Sequence, residues 1–275
     1  MKRIPWDTLP SELRAAIEAR TGPVLDAETA TAGQNSPMAA TVTTIHGKTF
    51  VKGLPHREGR SASQAREIAV APFVREISPR LHWHFEEGGW IVLGCQHVEG
   101  RHADYRPGSS DLDALLPILT ALGEIKVPAA FGPIKLAEDR WKTYVDDPDE
   151  LEIFRGTTLQ HTDWIPHNVL ISPERPYLID WAWPTLGASW MDPAYFLIRL
   201  MASGYSAQEA ETFAAQVPAF AKADPAHVDV FARVNVRMWD EIEIQTTGHI
   251  GSWMRGMVAA SRNWADSRGV RVEPR

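Results

Sequence analysis

The chain has 275 residues, 44% of them hydrophobic, with a net charge of −7 and one cysteine, Cys95. That is enough apolar material for one large domain or two fused lobes with cores of their own. No long basic run appears, so the electrostatic footprint of a nucleic-acid binder is missing. One cysteine excludes an internal disulfide framework, and no apolar stretch approaches the ~18 residues of a membrane span. Asp7 and Glu12 arrive before any apolar run, so no secretory leader is expected and the expected location is the cytoplasm.

Residues 11–20 read as a short helix opened by Ser11 and Glu12, with Leu13, Ala16 and Ile17 on one face. The pattern then turns to strands. Residues 41–45 and 49–52 are β-rich and flank His46-Gly47-Lys48, a tight-turn signal. Residues 62–77 repeat apolar positions at helical spacing, and 81–85 pairs with 90–93 across Glu86-Glu87-Gly88-Gly89. Cys95–Gly100 reads as a connector. Beyond it the chain is mostly helical, with helices expected at 111–124, 148–155, 207–221, 226–246 and 250–266, and strand-like segments around 169–180. Pro117 and Pro218 fall inside two of these helices, where proline costs ~3 kcal/mol. The order predicts an α+β chain with a β-rich N-terminal lobe, residues 1–99, and a mainly helical C-terminal lobe, residues 100–275.

Two segments in the second half carry the chemistry. His161-Thr162-Asp163 is followed five residues after the Asp by Asn168. A second acidic residue, Asp180, follows at the end of the apolar run Tyr177-Leu178-Ile179. Phosphoryl transfer needs one carboxylate to accept the alcohol proton, and an amide with a second carboxylate to hold Mg²⁺ on the phosphates. The alternative is an Asx-rich turn between two strands.

At these residues the chain resembles the aminoglycoside phosphotransferases, within the protein-kinase-like fold. That family often reads His-Gly-Asp-x-x-x-x-Asn-x-Leu and then Ile-Asp-Trp. This chain has Thr162 where Gly is usual, and Trp164 and His167 inside the loop, which read as variation on its outer face. Trp190-Met191-Asp192-Pro193 resembles the family's second acidic segment. The resemblance implies a two-lobe fold, ATP (or GTP) and Mg²⁺ as cofactors, and a small-molecule hydroxyl as acceptor. With no long basic run and no long apolar span, no nucleic-acid or membrane partner is expected, and the expected state is a monomer or homodimer.

It also implies roles. Asp163 would take the hydroxyl proton, Asn168 and Asp180 would hold the metal, and Lys52 would hold phosphates while paired with Glu67, with Glu76 as the fallback. Adenine would lie against the connector near Gln96 and Val98. The phosphate-covering loop should lie in 31–38, with Ser36 as its candidate contact; a plain β-turn there is the alternative. Trp190, Trp239, Asp240 and Glu243 are candidate acceptor contacts, because 240 and 243 share a helical face beside Trp239. Gly47-Lys48-Thr49 is not a P-loop, since Val42 stands where the first Gly is required. His82 and His84 share a strand face without a third ligand in register, which argues against zinc. An antibiotic hydroxyl is the leading acceptor. The alternatives are a metabolite such as choline, homoserine or a sugar, and a nucleotide-binding module without activity.

Overall fold

The computed structural model describes residues 3–31, 36–56, 61–128, 131–246 and 251–273. The fold is mixed α+β, and contacts divide the chain into two compact units: Met1–His102 with His167–Ala182, and Ala103–Pro166 with Trp183–Arg275.

The first unit is built on a five-stranded antiparallel sheet. α1 (Ser11–Thr21) precedes β1 (Asp26–Thr29), β2 (Met38–Thr44) and β3 (Gly47–Pro55); α2 (Ser61–Val70) precedes β4 (Leu81–Glu87) and β5 (Trp90–Gln96). The sheet order is β1-β2-β3-β5-β4. Leu13 and Ile17, one turn apart on α1, bury against Met38, Val42, Val51, Phe85 and Val92. Burying each such side chain contributes ~1.5–3 kcal/mol, so this stripe fixes the helix on the sheet. Gly94 in β5 lies opposite Trp83, where a Cβ would come 2.2 Å from the indole. Only glycine lets that ring lie over the strand.

α2 ends at Val70, short of the expected 62–77. Pro72 accounts for the stop: it has no N–H to donate and disfavours helical geometry at Ala71. The hairpin Val169–Ile171/Pro176–Leu178 also belongs to this unit, because Val169–Ile171 pairs with Arg101–His102 and the Leu178 amide donates to the Ile77 carbonyl. The expected division at residue 99 put this hairpin in the other lobe.

The second unit is mainly helical: α3 (Asp111–Leu122), α4 (Ala137–Trp141), α5 (Met191–Ala202), α6 (Ala207–Ala214), α7 (Pro218–Ala221), α8 (Pro225–Gln245) and α9 (Ser252–Ser267). α3 runs through Pro117. The helix expected over 207–221 breaks, and Pro218 opens α7 instead, the helical position where proline loses no hydrogen bond. Residues 148–154 form 3-10 turns, not an α-helix. α5 is apolar nearly all round, with every residue from Met191 to Ile198 buried, as a central helix must be. Phe231 of α8 gathers Phe154, Trp190, Tyr195 and Trp264 around it. A small sheet orders Lys135–Leu136, Thr185–Gly187 and Thr158–Gln160. Its last strand runs straight into His161. Among the described residues no helix is long and apolar enough to cross a membrane.

Candidate functional site

The first unit gathers Lys52, Glu67, Asn168 and Asp180. Lys52 sits inside β3, in register with Ala39 on β2 and Leu93 on β5. Its Nζ ion-pairs with Glu67 of α2 and lies 3.7 Å from Asp180 Oδ1. Glu76, the fallback partner, is exposed. Lys52 and Glu67 are largely buried, at 13% and 12% side-chain exposure. Burial alone would lower the Lys52 ammonium, but Glu67 and Asp180 outweigh it and hold it above the usual lysine value. Burial pushes the Glu67 carboxyl up, to about 7, and Lys52 draws it back. The lysine therefore stays a cation, held between Glu67 and Asp180.

Asp180 is clamped from both sides. The Ile179 amide donates to the Asn168 carbonyl at 2.8 Å, and the Trp181 indole donates to Ser78 Oγ at 2.9 Å. Asp180 has φ +65°, a left-handed conformation that Asp tolerates better than most residues. Arg66, beside Glu67, donates to the Ala182 carbonyl at 2.7 Å. Arg3 is a second cation close enough to Asp180 to be raised by it, although burial outweighs that and lowers it. Sequence reasoning missed Arg3, Arg66 and Ser78.

Asn168 is buried. With Asp180 it supplies one amide oxygen and one carboxylate, hard donors that suit Mg²⁺ completed by phosphates and water. Among the described residues no group of three His, Cys, Asp or Glu is placed to hold a metal. Ser36 is described, and its carbonyl accepts from Arg3; residues 32–35 of the expected phosphate loop lie outside the described residues. Gln96 ends β5, with its amide donating to the Arg80 carbonyl at 2.8 Å. Val98 follows in the connector, half-buried.

The second unit holds Asp163. Asp192, at the first turn of α5, accepts the His161 amide at 2.6 Å and the Thr162 amide at 2.9 Å. Its own amide donates to Gln160 Oε1 at 2.9 Å. Burial raises the Asp192 carboxyl above its ordinary value, and the two backbone amides pull it back. Thr162 has φ +66°, the conformation that explains why glycine is usual at this position. Its Oγ1 donates to the Trp183 carbonyl at 2.8 Å. Trp164 is fully buried, edge-on to both His161 and Phe196, so the expectation that it lies on the loop's outer face is corrected. His167 is exposed, with its ring 5.0 Å from His102.

Arg199, seven residues after Asp192 and thus on the same side of α5, reaches Asp163 Oδ1 at 3.4 Å. Its guanidinium also lies 5.7 Å from the Trp239 ring. An arginine inside an apolar helical run was the available signal, and sequence reasoning passed over it. Of the acceptor candidates, Trp190 is buried on Phe231 and Trp239 is buried edge-on to Trp253. Asp240 pairs with Arg262 at 2.9 Å. Glu243 is half-buried and forms no ion pair among the described residues.

No family model matches the sequence, and no curated protein sequence matches it. Solved structures do match. Choline kinase LicA from Streptococcus pneumoniae is similar at TM-score 0.63 and 15% identity, over 94% of this chain and 100% of that one. Aminoglycoside phosphotransferase APH(4)-Ia is similar at TM-score 0.57 and 16% identity, over 92% and 98%. A thermostable mutant of it, in ternary complex with ADP and hygromycin B, gives 0.53 and 14%, over 93% and 99%. Along nearly its whole length, this chain takes the kinase-like fold of these small-molecule phosphotransferases.

Proposed function

We propose that this chain is a nucleotide-dependent O-phosphotransferase acting on a hydroxyl of a small molecule. The observation that carries the reading is Lys52 held between Glu67 and Asp180, with Asn168 bound to the same hairpin. A buried cation flanked by metal-type oxygen donors is what a nucleotide triphosphate needs. The similar structures include one with ADP and hygromycin B bound, which fits the same reading.

In this reading Lys52 binds the α- and β-phosphates, and Glu67 holds it in place. Asn168 and Asp180 would hold Mg²⁺, which supplies charge neutralisation on the phosphates. Ser36 contacts phosphate, and the backbone near Gln96 and Val98 takes the base of ATP or GTP. Asp163 orients the acceptor hydroxyl. As its oxygen bonds to the γ-phosphorus, the bond to the leaving diphosphate breaks and the proton passes to the Asp163 carboxylate. Alignment and electrostatics do most of this work. We take an antibiotic hydroxyl as the working acceptor; a metabolite alcohol would use the same residues. The test is ADP release with Mg·ATP across aminoglycosides, peptide and nucleoside antibiotics, choline, homoserine and sugars. Release with one acceptor, absent in Asp163→Ala, supports the reading. A chain that fails to bind Mg·ATP at millimolar concentration refutes it.

A further inference from the structure

We propose that the first unit carries a second binding site, for a small organic anion with an apolar body, in the groove between the end of α2 and the start of β4. The groove is half-open to solvent and offers about 610 Å³, a volume that small molecules fill. Arg75, Arg80, His82 and His84 line it, and all four are exposed. None of these side chains makes an ion pair or hydrogen bond among the described residues. Several other surface cations are paired: Arg20 with Glu87, Lys48 with Glu99, Arg268 with Glu211 and Asp229.

The balance of charge makes the groove unusual. The chain has 35 acidic residues against 28 Lys and Arg, yet here two arginines share a wall with one carboxylate, Glu76, and His82 and His84 add imidazole nitrogens. β4 is an edge strand, and His82 and His84 both line the groove from it. Guanidinium forks match phosphate and carboxylate groups in two-point contacts. Ile68, Ala71, Pro72 and Leu81 complete the lining, and they give an apolar surface that a bare inorganic anion would leave unused. Lys52, Asn168 and Asp180 do not line this groove, so the site is separate from the one proposed for the nucleotide and stands apart from the phosphotransfer reading.

Calorimetric titration with phenyl phosphate and phenylacetate tests it, with benzyl alcohol as the neutral control. Both anions are expected to bind, with the alcohol at least about tenfold weaker. The double variant Arg75→Gln/Arg80→Gln should weaken anion binding by roughly 10-fold or more per arginine. His82→Gln with His84→Gln should give a further, smaller loss. These side chains are exposed, and an unchanged thermal unfolding curve verifies that the variants fold. Lys52→Ala should leave anion binding within about twofold. The proposal is overturned if neither anion binds at millimolar concentration, if the alcohol binds equally well, or if the arginine variant binds normally. Loss of binding in Lys52→Ala would also overturn it, by assigning the anion to the nucleotide phosphates.

Discussion

Replacing Asp192 by alanine should destabilise the protein by ~2–6 kcal/mol and by asparagine ~1–2 kcal/mol. The Asp192 carboxylate is 1% exposed and accepts the amides of His161 and Thr162. A buried amide left without an acceptor costs ~1–3 kcal/mol, so alanine strands two of them, against a total stability of ~5–15 kcal/mol. Asparagine keeps one acceptor oxygen. It also removes a charge whose burial is unfavourable, since burial already holds this carboxyl above the usual aspartate value. The smaller loss follows. The pH sign is fixed by the same shift. A carboxyl raised in the folded state contributes its stability fully below the unfolded value and loses it as pH rises through the folded value. Wild type should therefore decline with rising pH in a way that Asp192→Asn does not. Urea unfolding at a series of pH values reads both quantities.

The catalytic consequence is separable. Thr162 has φ +66°, its amide is one of the two that Asp192 holds, and Asp163 is the next residue. Loosening the loop should lower kcat by ~10²-fold in Asp192→Ala, with nucleotide KM near normal because Lys52 and Glu67 lie in the other unit. An alanine variant within ~0.5 kcal/mol of wild type, turning over at the wild-type rate, would refute the reasoning about both the amides and the loop.

Asp163→Ala should lower kcat by at least ~10²-fold with little change in nucleotide affinity; steady-state kinetics with direct nucleotide titration decides it, and full activity would remove Asp163 from the chemistry. Asp180→Ala should abolish Mg²⁺-dependent turnover, since the carboxylate beside Lys52 and Asn168 is lost; normal Mg²⁺ dependence of the variant would place the metal elsewhere. Thr162→Gly should be more stable than Thr162→Ala by ~1 kcal/mol, because both lose the hydroxyl while only glycine escapes the left-handed strain. Equal denaturation midpoints would mean the backbone there is unstrained. Burial pushes the Cys95 thiol up, to about 11, so alkylation at pH 7.5 should run at least ~10²-fold slower in the folded protein than in urea; equal rates would show an open thiol.

Local signals made much of the fold legible. The β2–β3 hairpin follows from its turn and flanking β-branched residues, and α1 from the spacing of Leu13 and Ile17. The Lys52–Glu67 contact was an expectation from resemblance, and the two side chains do meet. Legibility failed where one residue overrode a period. Pro72 ended α2 inside an apolar pattern that continued to Ile77, and Pro218 split a helix that its neighbours would have carried through. The unit boundary was hidden for a different reason. The hairpin at 169–178 joins residues 101–102 by strand pairing, a contact between segments far apart in sequence that no local pattern records.

Acceptor chemistry depends on the same kind of distant pairing. Asp240 and Glu243 look alike in sequence, two carboxylates on one face beside Trp239. The fold separates them: Arg262, from α9, neutralises Asp240, while Glu243 keeps its charge unpaired among the described residues. Arg199 adds a buried cation between Asp163 and Trp239. An ammonium group there would meet a guanidinium already paired with the carboxylate it needs, and desolvated like charges repel strongly. Of these two carboxylates, Glu243 is then the one without an ion-pair partner among the described residues.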